Sequence, residues 1–121
     1  MTSVLVVDDE PDIALICRLA LTLAGFDVEE RDCGRDALAY LADVTPDVVL
    51  LDLRLPDLSG WQVLDALRSS GRLPGLNVIL FSAHASAAQA AVDAGCVSFL
   101  AKPFTPEELV AQVTDAAARV A

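Results

Sequence analysis

The chain has 121 residues, 55% of them apolar, and its 18 acidic against 8 basic residues leave a formal charge of -10. That length supports one hydrophobic core, so a single domain over residues 1–121 is expected, and that charge repels nucleic acid and anionic membrane surfaces, which argues against direct nucleic-acid binding. No apolar run approaches the ~18 residues of a membrane span, and Met1-Thr2-Ser3 carries no basic stretch before its apolar run, so a soluble cytoplasmic protein is expected.

Val4-Leu5-Val6-Val7 reads as a strand. Asp8, Asp9 and Glu10 ahead of Pro11 read as a helix start, because acids suit the positive end of the helix dipole and proline suits the first turn. Ile13, Ile16, Cys17 and Ala20 then recur at helical spacing, and Gly25 stops the helix. A strand over 26–30 leads to a helix over 35–42. The third strand, 47–52, is apolar at successive positions, as a strand covered on both faces should be, and it ends in Asp52.

Pro56 to Gly60 reads as a turn, and the third helix carries Trp61, Leu64 and Leu67. A polar loop over 69–75 enters a strand over 77–82. Ser86 and Gln89 make a capping-box pattern for a fourth helix, ended by Gly95. After a fifth strand around Phe99-Leu100-Ala101, Thr105, Pro106 and Glu108 open a fifth helix whose buried stripe is Leu109, Val113, Ala116 and Val120. Cys17, Cys33 and Cys96 show no CxxC pair, and Cys17 and Cys96 read as small reduced core residues.

Strand-like and helix-like runs alternate throughout, which gives an α/β fold with a doubly wound parallel sheet of five strands and five helices. Right-handed crossovers and a reversal of winding after the second strand set the order 2-1-3-4-5, a flavodoxin-like arrangement. Asp8-Asp9, Asp52, Ser82 and Lys102 each end or follow an apolar run, so a parallel sheet brings them to one edge. Ligands of open α/β sheets bind at that edge.

Two carboxylates about 4 Å apart repel by roughly 4 kcal/mol at an effective dielectric near 20, so this cluster needs a counter-charge. Magnesium fits, because it prefers oxygen ligands and pairs one or two carboxylates with phosphate oxygens. A carboxylate then becomes a nucleophile toward a phosphoryl donor, with Lys102 placed to meet charge on the transferred oxygens. Singly, each residue has a plainer role: Asp8, Asp9 and Glu10 could cap a helix, and Ser82 or Lys102 could merely end a strand. Convergence on one edge is what favours the chemical reading.

These residues carry a family pattern. Val6-Val7-Asp8-Asp9-Glu10-Pro11, Leu50-Leu51-Asp52-Leu53, Leu55-Pro56-Asp57-Leu58-Ser59-Gly60, Phe81-Ser82-Ala83 and Phe99-Leu100-Ala101-Lys102-Pro103-Phe104 occur in this order. The chain resembles the receiver domain of two-component response regulators over essentially its whole length. The resemblance implies that Asp52 is the phosphoacceptor, supplied by a sensor histidine kinase, a histidine phosphotransfer protein or a small phosphodonor. It implies that Asp8, Asp9, Asp52 and the backbone carbonyl of Arg54 bind Mg2+, with Mn2+ as a substitute, and that Ser82 and Lys102 bind the phosphoryl group. Ser82 and Phe99 are the implied switch residues, and the Lys102-Pro103 peptide is expected to be cis. Arg54 and His84 occupy the positions that tune phosphoryl lifetime. The implied output is a changed surface on the fourth helix, fifth strand and fifth helix, read by a downstream target or a tethered output domain. Such a protein promotes its own phosphorylation and dephosphorylation without being a turnover enzyme.

This sequence departs from the family in a Ser82 to Lys102 segment a couple of residues shorter than usual, and in having no lysine or arginine from Ala83 to Ala101. The alternatives are a degenerate receiver that binds partners without phosphorylation, a magnesium-dependent aspartyl phosphatase and a flavin carrier. The phosphatase would want an acid two residues after its nucleophile, where this chain has Arg54. The flavin carrier would want a glycine- and hydroxyl-rich loop where Asp8, Asp9 and Glu10 stand.

Overall fold

A computed structural model describes residues 2–73 and 75–119. Its elements alternate as expected: β1 (Ser3–Val7), α1 (Pro11–Leu23), β2 (Asp27–Arg31), α2 (Gly34–Asp43), β3 (Val48–Asp52), α3 (Gly60–Ser69), β4 (Val78–Ser82), α4 (Ala88–Asp93), β5 (Ser98–Ala101) and α5 (Pro106–Ala117). The strands form one parallel sheet in the order β2-β1-β3-β4-β5.

The core splits into two layers because side chains alternate across a strand. Leu5, Val7, Val49, Leu51, Val78 and Leu80 face α2, α3 and α4, where they meet Ala37, Leu41, Val63, Leu64, Leu67 and Ala91. Val4, Val6, Val48, Leu50, Ile79, Phe81 and Leu100 face α1 and α5, where they meet Cys17, Leu21, Leu109, Val113 and Ala116. Both faces of β3 and β4 are therefore covered, which explains their unbroken apolar runs.

The stripe on α5 is buried at Leu109, Val113 and Ala116, while Val120 lies outside the described residues. Thr105 caps this helix: its hydroxyl accepts from Glu108 N at 3.1 Å, and Glu108 accepts from Thr105 N at 3.1 Å. Gly25 and Gly95 follow α1 and α4 with φ of 95° and 99°, the left-handed region that glycine enters without a Cβ penalty. Cys17 and Cys96 are buried and free; burial pushes their thiols up to about 12 and about 11, so both stay protonated.

Two expectations need correction. Ser86 does not cap α4: a short 3-10 turn over Ala85–Ala87 precedes the helix, and Gln89 Nε2 donates instead to Asp93 Oδ1 at 3.0 Å. The capping box stands at α3, where Ser59 and Gln62 bond each other's backbone N–H. Ile16, expected on the buried face of α1, is exposed together with Leu15, Leu19 and Leu23. The helix instead buries Cys17 and Leu21, with Ile13 and Ala20 partly covered. Among the described residues no helix is long and apolar enough to cross a membrane.

Candidate functional site

β1, β3, β4 and β5 deliver their carboxyl ends to one edge of the sheet. Asp8 follows β1, Asp52 and Ser82 are the last residues of β3 and β4, and Lys102 follows β5. All three of Asp8, Asp52 and Ser82 are buried, at 3%, 4% and 2% exposure, whereas Asp9 is exposed. A buried polar group needs a partner. Asp8 Oδ1 accepts from Glu10 N at 2.8 Å, Asp52 Oδ1 accepts from Arg54 N at 3.2 Å, and Ser82 Oγ accepts from His84 N at 3.1 Å.

The remaining carboxylate oxygens converge on one ammonium. Lys102 Nζ donates to Asp8 Oδ2 at 3.0 Å, Asp52 Oδ2 at 3.3 Å and Glu10 Oε1 at 3.4 Å. Its own N–H donates to Ser82 O at 2.8 Å, which fixes the start of the side chain against β4. The Lys102-Pro103 peptide is cis, as expected. Burial opposes the charged amine, but the hydrogen bond to Asp8 and the charges of Asp52 and Asp8 outweigh it and raise its pKa above the ordinary value.

One ammonium does not balance this cluster. Burial first, then the neighbouring charge of Asp8, push Asp52 up to about 6 against the pull of Lys102. Oxygens of Asp8, Asp9, Glu10 and Asp52 lie within 4.8 Å of one another, a donor set made of hard carboxylate oxygen. That chemistry fits magnesium or manganese and not zinc, which favours nitrogen and sulfur.

The cleft beside the cluster encloses about 360 Å³ and is lined by Asp52, Arg54, Ser82, His84 and Lys102 among others. Arg54 Nη2 meets His84 Nε2 at 2.8 Å across its mouth. A guanidinium offers only donors, so in this contact the imidazole nitrogen is the acceptor. Phe99 stands apart from the cleft, half-buried on β5 opposite Leu80 and packed on the layer that faces α2, α3 and α4.

Glu10 was missed as a site residue, and Asp57 as the anchor of the loop beside the site. Glu10 read only as a helix-start acid, yet it reaches Lys102. Asp57 accepts from Gly34 N at 2.8 Å and Arg35 N at 2.9 Å, and so ties the loop after β3 to the start of α2. Its acid in a turn was visible, but its partners 23 and 22 residues away were not.

The family model of the response regulator receiver domain matches residues 4–114. The transcriptional regulatory protein KdpE of Mycobacterium tuberculosis is 42% identical over 121 residues, covering 98% of this chain but 52% of that protein, so the chain spans about half the length of this relative. The chemotaxis response regulator CheY4 of Vibrio cholerae superposes with a TM-score of 0.88 at 29% identity, covering 96% of this chain and 98% of that one. The response regulator TrrA of Thermotoga maritima, solved in complex with Mg(2+)-BeF, superposes with a TM-score of 0.85 at 27% identity over 96% and 99% of the two chains. With its sheet order, its acidic strand ends and these matches in agreement, the chain belongs to the response regulator receiver domain family.

Proposed function

We propose that this receiver takes a phosphoryl group onto Asp52 from a phosphohistidine of a sensor histidine kinase or a histidine phosphotransfer protein, or from a small acyl phosphate. The observation that carries the proposal is the convergence of Asp8, Asp52 and Lys102 at 3.0–3.3 Å on a buried sheet edge that holds more negative charge than one lysine offsets.

In the transfer a carboxylate oxygen of Asp52 bonds to phosphorus as the donor's N–P bond breaks, and the leaving imidazole keeps the bonding pair and takes a proton from water. Lys102 donates to a transferred oxygen, and the Ser82 hydroxyl, which has a free proton to donate, turns to another. Asp8, Asp9, Asp52 and the Arg54 carbonyl would hold Mg2+, or Mn2+ in its place. When bound, that cation offsets charge on the carboxylates and the transferring oxygens.

Phosphorylation adds about -1.5 to -2 charge and three acceptor oxygens at one fixed point. Ser82 ends β4 and Lys102 follows β5, so new partners for these side chains bias the positions of β5 and the segments beside it. Phe99, half-buried on β5, is the side chain able to move inward. The readout is then the α4-β5-α5 surface, offered to a downstream target or a tethered output domain. Return to the resting state is hydrolysis of the acyl phosphate by water entering past Arg54 and His84. Receiver domains are phosphoacceptors in general, not turnover enzymes.

Incubation with acetyl phosphate followed by phosphorus NMR tests the proposal. A protein-bound acyl-phosphate resonance that needs magnesium and remains after the acetyl phosphate is removed is expected, and its absence at every magnesium concentration overturns the reading.

A further inference from the structure

Lys102 reaches its carboxylates from an aromatic surface. Its Nζ lies 4.7 Å from the centroid of the Phe81 ring. Phe81 is fully buried, and Phe104 meets it edge-to-face with centroids 6.2 Å apart and planes at 65°. The chain sets both rings beside phosphoryl-site residues: Phe81 precedes Ser82 at the end of β4, and Phe104 follows Lys102-Pro103.

A lysine ammonium is a point charge on a flexible stem, and carboxylates alone leave it free to follow whichever acid is least engaged. An aromatic face adds an attraction whose position is set by packing, because the ring cannot move in a close-packed core. That attraction persists when the carboxylates take other partners. An aliphatic side chain in the same place would fill the volume and offer no such charge.

We propose that Phe81, braced by Phe104, is a positioning residue: a cation–π seat that holds the Lys102 ammonium where the phosphoryl oxygens arrive. The consequence for phosphoryl transfer rests on the function proposed above, while the seat itself is a property of the resting protein.

The test replaces Phe81 by mono-, di- and trifluorinated phenylalanines, which progressively empty the ring face at nearly constant volume, in the parent and in a Lys102→Met background. The initial rate of phosphoryl uptake from acetyl phosphate at saturating magnesium is expected to fall stepwise, ending about 3-fold to 30-fold below the parent. In urea unfolding, fluorination is expected to lower the midpoint more with Lys102 present than in the Lys102→Met background. A flat rate series together with equal midpoint shifts in both backgrounds overturns the proposal. If the parent itself takes up no phosphoryl group, the phosphoacceptor reading fails and the unfolding comparison alone decides the seat: coupling between ring fluorination and Lys102 sustains it, and additivity overturns it.

Discussion

Lys102 Nζ and Asp52 Oδ2, fifty residues apart in the chain, stand 3.3 Å apart in a place where Asp52 has 4% exposure. Removing one partner of such a pair leaves the other as an uncompensated buried charge. Lys102→Met is therefore expected to lose roughly 1–3 kcal/mol of stability near neutral pH, less than a fully stranded charge would cost because Asp52 can take up a proton. Urea midpoints measured near neutral and near about pH 4 check this. The loss should shrink at the acid end, and an equal loss at both would mean the lysine does not act through its charge pair with Asp52.

Asp52 makes the opposite prediction about itself. Its folded pKa is raised from the ordinary 3.8 to about 6 by burial and by Asp8, so the folded state keeps a proton that the unfolded chain has released. The stability this contributes is fully present below about pH 4 and is lost as pH rises through about 6. Asp52→Asn has no such loss. Without divalent cation it should match the parent near about pH 4 and exceed it near neutral pH by on the order of 1–3 kcal/mol. Urea unfolding across that range decides the point, and parallel curves would contradict the electrostatic account.

Much of this site was legible because parallel strands place their ends together. Asp8, Asp52, Ser82 and Lys102 could be located without coordinates, since each ends or follows an apolar run. What escaped depends on distant partners or on which face of a helix is covered. The pattern Ser-x-x-Gln occurs at Ser59 and again at Ser86, and only the first becomes a capping box. Ser86 falls inside a 3-10 turn, where the backbone cannot present it as a cap, and local sequence does not distinguish the two. In α1 apolar residues surround the helix, so spacing alone did not separate buried Cys17 and Leu21 from exposed Ile16 and Leu19.

Gly60 is confined by the site it borders. A Cβ there would stand 2.8 Å from the Asp52 carbonyl oxygen and 3.0 Å from Leu53 Cα, both backbone atoms that hold the end of β3. Gly60→Ala is expected to cost about 1–3 kcal/mol in urea unfolding and to slow phosphoryl uptake by displacing Asp52. Unchanged stability and unchanged uptake would show that the loop yields without disturbing the strand.

Arg54 and His84 join at 2.8 Å over the cleft and should act on phosphoryl lifetime as a unit. Arg54→Ala and His84→Ala are each expected to change the autodephosphorylation rate about 2-fold or more, and the double variant should differ from the sum of the two because the residues share one contact. Decay of the phosphorylated protein followed by intact mass measures this. Equal rates in the parent and both single variants would refute the role.

Intact mass after incubation with acetyl phosphate, with and without magnesium, on the parent and on Asp52→Asn, tests the central claim most directly. A single phosphoryl adduct that requires magnesium and is lost in Asp52→Asn is the expected result. An adduct that survives in Asp52→Asn, or none in the parent under any condition, would contradict the assignment of Asp52 as phosphoacceptor.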